Sequence, residues 1–223
     1  MSPAAKVAAG PRRGGAVEIR ALSAAAARGV LSLGALRFPR ALGRAGCRAR
    51  KREGDGATPV GVWTAREVLY RPDRVRRPRT ALPVRPLRPR DGWCDAPADR
   101  NYNRRIAHPY PAGAERLWRE DGLYDLIVVL GYNERPRVRG RGSAIFMHVA
   151  APHHAPTAGC VAVSRAHLLR ILAALPPRAR LLVLAGPKKG ARSGRFGRSE
   201  HVPGKSRARK CGETRWSAGR AAS

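Results

Sequence analysis

The chain has 223 residues, 45 of them lysine or arginine and 15 aspartate or glutamate, for a formal net charge of +30 at pH 7. This length suits one hydrophobic core with loose ends, and no stretch approaches the roughly 18 consecutive apolar residues of a membrane span. The charge attracts polyanions in general, but only six of the basic residues are lysines, and Arg, Ala, Gly and Pro run through the whole chain with no recognition module in view, which argues against specific nucleic-acid binding.

Residues 1–17 are polar, basic and rich in Pro and Gly; they read as a disordered lead in which no secretory signal stands out. Residues 30–38 alternate with period two and predict one strand limited by Pro39, followed by a second strand over residues 40–47 that buries Cys47 as a small hydrophobe. Gly54-Asp55-Gly56 is a turn that permits positive φ, and Thr58-Pro59 then leads through Gly61 into an extended segment ending at Trp63. Residues 69–90, dense in Arg and Pro, favour extended or polyproline conformations. Residues 91–103 form a polar, aromatic loop, equally compatible with lining a site and with solvating one buried tryptophan. Residues 115–124 predict a short helix or turn held by Leu117 and Trp118. The continuous apolar run 125–131 predicts a central strand covered on both faces.

The stretch 143–164 sets a histidine and a cysteine, twelve residues apart, on two apolar runs joined by a polar turn. Ala144, Phe146 and His148 fall on one side of the first run, Ile145 and Met147 on the other. After Cys160, Val161 and Val163 extend a second strand until Ser164 caps a helix over residues 165–175, ended by Pro176-Pro177; residues 180–185 predict the closing strand. Together these elements predict a mostly β, β-rich α+β domain over residues 18–186. Residues 187–223 carry eleven basic and two acidic residues without apolar periodicity and read as a basic disordered tail.

A thiolate attacks acyl carbons, and an imidazole within hydrogen-bond reach can take its proton, so Cys160 and His148 are a candidate nucleophile and base for acyl transfer. Cys47, Cys94, Cys160 and Cys211 lack the CxxC spacing of a zinc module and present no disulfide framework. A zinc set drawn from His148, His153, His154 and Cys160 is the second chemical reading. Adjacent histidines point to opposite sides of an extended chain and no fourth ligand is evident, so no metal and no cofactor are expected.

Gly54-Asp55-Gly56-Ala57-Thr58-Pro59-Val60-Gly61, the strand ending Ile145-Phe146-Met147-His148, and Gly159-Cys160-Val161 before a capped helix together resemble the L,D-transpeptidases with the YkuD catalytic domain, over about residues 28–186. The resemblance implies a twisted sheet or sandwich with one helix after the catalytic strand, and an enzyme acting on the peptide stems of peptidoglycan in the cell envelope or periplasm. It implies Cys160 as nucleophile, His148 as base, the Val149 carbonyl orienting the imidazole, and the N–H groups of Gly159 and Cys160 as oxyanion donors. It also implies acylation of Cys160 by carbapenems; a monomer without a transmembrane segment is the expected state of the chain. Tyr132, Asn133, Arg141 and Arg165 are the expected substrate-binding residues. Two positions depart from the family pattern: Ala158 stands where a histidine precedes Gly-Cys, and Ala162 where an arginine follows it, leaving Arg165 or Arg141 to meet the stem carboxylate. The alternative of another class is a basic, non-catalytic envelope or polyanion-binding module that keeps the fold.

Overall fold

Alternation of apolar and polar residues starts the fold at Val17: β1 (Ala16–Ala21) buries Val17, Ile19 and Ala21 and turns Glu18 and Arg20 outward. The computed structural model describes residues 16–187; the basic tail beyond Pro187 and all but the last two residues of the predicted lead lie outside them. β1 takes in residues 16 and 17, assigned above to the lead, because Val-Glu-Ile-Arg-Ala already carries the period of a half-buried strand.

The single strand expected over residues 30–38 is a hairpin of β2 (Arg28–Leu33) and β3 (Leu36–Ala41). Gly34, at φ +57°, turns the chain so that Leu33 faces Leu36, and the alternation changes phase there, with Gly29 and Leu31 buried before the turn and Phe38 and Arg40 after it. The second strand expected over residues 40–47 is replaced by the end of β3 and by β4 (Cys47–Arg48), which pairs in parallel with β5 (Thr58–Pro59). β6 (Gly61–Tyr70) runs well beyond Trp63, and β7 (Val84–Pro86) lies parallel to its end. β8 (Asp91–Cys94), β9 (Arg105–Ala107) and β10 (Ala114–Arg116) make a separate three-stranded antiparallel sheet with β8 in the middle. The helix or turn expected over residues 115–124 is therefore partly β10: Glu115 pairs with Trp93, a long-range pairing that local sequence does not reveal.

β11 (Leu126–Leu130) is buried at every residue, as the continuous apolar run predicts. It is followed by β12 (Phe146–Val149), β13 (Val161–Val163), α1 (Arg165–Ala174) and β14 (Arg180–Leu184). The strands pair in the order β11, β12, β13, β3, β2, β1, β14, β6, and β6 pairs back onto β11, closing a ring that leaves none of these strands an unpaired edge. Ser164 caps α1 as expected, its hydroxyl accepting from the His167 N–H at 3.3 Å.

Two apolar clusters divide the strands by alternation. Leu126, Val128, Leu130, Ile145, Met147, Val161 and Val163 join β1 and α1's Leu168, Ile171 and Leu172 in the main core. Ile127, Val129, Ala144, Phe146 and Cys160 face the other way, under Leu117, Tyr124 and Trp93. The second cluster is thus covered in part by the small sheet, and this places Cys160 between the two sheets.

Candidate active site

β12 and β13 are parallel neighbours, with Met147 opposite Val161 and His148 opposite Ala162. Parallel strands require a crossover of about a dozen residues, here residues 150–160, and its last residue is the cysteine. His148 and Cys160 line one cavity of about 360 Å³. Pro152 to His154 forms a single 3-10 turn in the crossover, tied to the β2–β3 hairpin by Arg28, which donates to the His153 carbonyl at 3.2 Å. Neither His153 nor His154 lines the cavity.

The upstream turn closes the cavity from the other side. Gly54 and Gly56 have φ of +72° and +66°, and between them Asp55 accepts the N–H groups of Arg52 and Ala57 at 2.9 Å each. Thr58 is fully buried and accepts the Gly43 N–H at 2.8 Å, while Arg44 N–H and Thr157 O join at 2.9 Å, lashing this segment to the crossover. The turn then meets the cysteine directly, since a Cβ on Gly159 would lie 2.9 Å from the Ala57 carbonyl oxygen. Gly159 also has φ +144°. Gly159→Ala is therefore expected to destabilise by about 1–3 kcal/mol, read as a lower denaturation midpoint at constant m-value. An unchanged midpoint would show that the contact with Ala57 is dispensable.

The thiol is held at rest. Its Sγ donates to the Ala144 carbonyl at 3.2 Å and accepts the Phe146 N–H at 3.4 Å. Ala144 sits at φ +49°, a left-handed conformation that costs an alanine about 1 kcal/mol and is sustained by the Asn103 side chain, whose Oδ1 accepts the Ala144 N–H at 3.2 Å. Glu53 braces the same segment, accepting from the Tyr102 and Ser143 hydroxyls at 2.6 and 2.8 Å.

His148 is 6 % exposed, and its Nδ1 lies 2.8 Å from the Val149 carbonyl. That bond puts the proton on Nδ1 and leaves Nε2 with a lone pair. Tyr124 stands edge-on to the imidazole at 5.2 Å between centroids, and its hydroxyl donates to Glu115 at 2.5 Å. Burial lowers the His148 pKa to about 4, with Val149 opposing and Arg119 reinforcing the shift. Burial raises the Cys160 pKa to about 12; the Glu115 charge adds to this, and the Phe146 N–H and Lys51 oppose it. Burial likewise raises the Glu115 carboxyl. At neutral pH the site therefore rests as thiol and neutral imidazole, with the Nε2 lone pair unprotonated.

The expected substrate-binding residues do not line this cavity. Tyr132, Asn133 and Arg141 line a neighbouring cavity of about 250 Å³, and Lys51 lines both. Asn133 spends its side chain on Val138 and Gly142, at φ +48°, and Tyr132 stacks edge-on against Trp63. Arg165 pairs with the buried Asp125 and anchors the start of α1. The cavity is lined instead by Arg44, Lys51, Glu53, Asp95, Glu115 and Tyr124 among others. The sequence carried a partial signal for three of these. Lys51 and Glu53 directly precede the Gly-Asp-Gly turn, and Asp95 lies in the polar loop that could line a site. Glu115 arrives only through the pairing of β10 with β8, and Tyr124, just ahead of β11, meets it there through its hydroxyl. Gly159, expected as an oxyanion donor, gives its N–H to the Thr157 hydroxyl at 3.1 Å.

None of the curated proteins or solved structures compared with the chain matches it. The family model described as YkuD, L,D-transpeptidase catalytic domain, matches residues 29–183, a span that runs from the β2–β3 hairpin through the crossover to β14 and includes every element that builds the cavity. The chain belongs to the YkuD family of L,D-transpeptidase catalytic domains.

Proposed function

We propose that the protein is a peptidoglycan L,D-transpeptidase of the cell envelope, acting as a monomer through a Cys160 acyl-enzyme, with hydrolysis at the same site making it an L,D-carboxypeptidase. The observation that carries this reading is that His148 and Cys160 meet in one cavity at the junction of β12 and β13, roofed by the Gly-Asp-x-x-Thr-Pro-x-Gly segment. In a donor stem, the Cys160 sulfur adds to the carbonyl of the third-position diamino acid as His148 Nε2 takes the thiol proton. Collapse re-forms the carbonyl and breaks the amide bond, and His148 returns the proton to the departing D-alanine amine. The amine of a second stem then attacks the thioester and releases Cys160; water in its place gives the shortened stem.

His148 is suited to this shuttle because it is neutral at rest and held by Val149 in a single tautomer. A carboxylate-bearing, amine-bearing substrate also suits a lining that mixes Arg44 and Lys51 with Glu53, Asp95 and Glu115. Incubation with purified disaccharide-tetrapeptide should release D-alanine and yield cross-linked dimer or tripeptide, resolved by liquid chromatography and mass spectrometry. Neither product, together with binding to DNA or anionic polymer that weakens steeply with salt, would instead support the non-catalytic polyanion binder.

A further inference from the structure

Lys51 is a buried lysine in a chain with exposed surface to spare. Its side chain is 3 % exposed, and two glycines make way for it. A Cβ on Gly142 would lie 2.8 Å from Lys51 Cε, and one on Gly159 would lie 3.4 Å from Nζ; both glycines have positive φ, +100° and +144°. Nζ donates to Asp55 Oδ1 at 2.8 Å and to the Arg52 carbonyl at 3.3 Å. Desolvation alone would raise the Asp55 pKa, but the bonds from Lys51 and from two backbone N–H groups outweigh it and hold Asp55 below the usual carboxylate range, so the pair is ionic. An ammonium has three protons, and among the described residues the third finds no acceptor. The group lines the cavity that holds Cys160.

Burying an ammonium is costly, and a single carboxylate returns only part of that cost. A purely structural pair would not need its donor to end beside Gly159. The residue it reaches is also the one whose N–H is committed to Thr157 and is therefore withheld from an oxyanion.

We propose that Lys51 is a catalytic residue of this site, the cationic donor that receives the negative charge on the acyl oxygen when Cys160 adds to a carbonyl. The proposal rests on Cys160 being the nucleophile. As the S–C bond forms, the carbonyl π pair moves to oxygen and Nζ–H donates to it; as the oxygen re-forms the double bond, the leaving group departs and Lys51 remains an ammonium throughout. Asp55 holds Nζ in place and has no part in the proton transfer.

The test compares two small uncharged probes of Cys160 by mass spectrometry. p-Nitrophenyl acetate acylates through a tetrahedral oxyanion, whereas iodoacetamide alkylates by displacement at a saturated carbon and forms none. The variant is Lys51→Met/Asp55→Asn, which removes both charges together and leaves no buried carboxylate unpaired. Acetylation is expected to fall by about 10² to 10³, the loss typical of one oxyanion donor, with alkylation within about threefold of wild type. Lys51→Arg should recover part of the acetylation rate. Equal losses with both probes would make Lys51 a structural or thiol-directed residue, and an unchanged acetylation rate would remove it from the mechanism; either overturns the proposal. Wild-type protein that forms no acetyl-Cys160 overturns the nucleophile itself.

Discussion

Cys160→Ala should form no covalent adduct with a carbapenem while wild type gains one equivalent, and its turnover of peptide stems should fall by roughly 10⁵ to 10⁶, as when a nucleophile is removed from a catalytic unit that works as a whole. The expectation follows from the cavity: among the described residues, the other cysteines, Cys47 and Cys94, are buried outside it, and no serine in the lining except Ser143 offers a hydroxyl, which is already bonded to Glu53. The fold should survive. The thiol is neutral at rest, so its removal strands no charge; it leaves the Ala144 carbonyl without its sulfur donor and a void of one atom, a cost of about 1–2 kcal/mol. Thermal unfolding of the variant separates this modest loss from the catalytic one. Persistent adduct on the variant would place the nucleophile elsewhere.

His148→Gln is expected to slow acylation by about 10² to 10⁴, the usual contribution of a positioned general base, and to change the shape of the pH profile as well as its height. With its pKa held near 4, His148 is neutral across the physiological range, so wild-type acylation should be level from about pH 5.5 to neutrality and fall only as pH drops through about 4. The Cys160 thiol, pushed up to about 12, contributes almost no preformed thiolate at pH 7. Without its base, the variant depends on that small fraction, and its rate should climb about tenfold per pH unit. A wild-type profile with a limb near pH 6.5 would mean that the imidazole is solvated and not buried in the cavity wall.

The same burial links His148 to stability. The imidazole binds its proton near pH 6.5 when unfolded and near 4 when folded, so between these values the unfolded state holds more protons. Stability is full above about pH 6.5, declines as pH falls towards 4 and levels off below. The drop is on the order of 3 kcal/mol, from 1.36 kcal/mol per pKa unit. His148→Gln should lack this portion of the acid dependence, as denaturant unfolding at pH 7 and pH 4.5 would reveal.

The residue types of the site were legible because each is forced by local chemistry. A strand ending in histidine, a Gly-Cys before a capped helix and a Gly-Asp-Gly turn keep their character wherever the chain goes, and the turn indeed has positive φ at both glycines. Alternation also sorted Ala144 and Phe146 from Ile145 and Met147 correctly between the two clusters. Local reading failed in two places: β10 was hidden because Glu115 becomes a strand residue only opposite Trp93, and the two-residue β2–β3 turn shows in the sequence only as a one-residue shift of phase at Gly34-Ala35.

The carriers of charge around the cysteine illustrate the same division. Arg141 and Arg165 are close to the Cys–His stretch in sequence, yet the fold directs the first to a neighbouring cavity and the second to Asp125, while Arg44 and Lys51, more than a hundred residues from Cys160, line its cavity. By itself the sequence determined the fold class, the candidate Cys–His pair and the turn that roofs it, because these depend on residue identity and short-range period. Only the tertiary structure decided which charges surround the thiol, which hydrogen bonds its neighbours have left to give, and hence the pKa values of the pair. Those depend on burial and on which strands meet, and both arise only when the ring of strands closes.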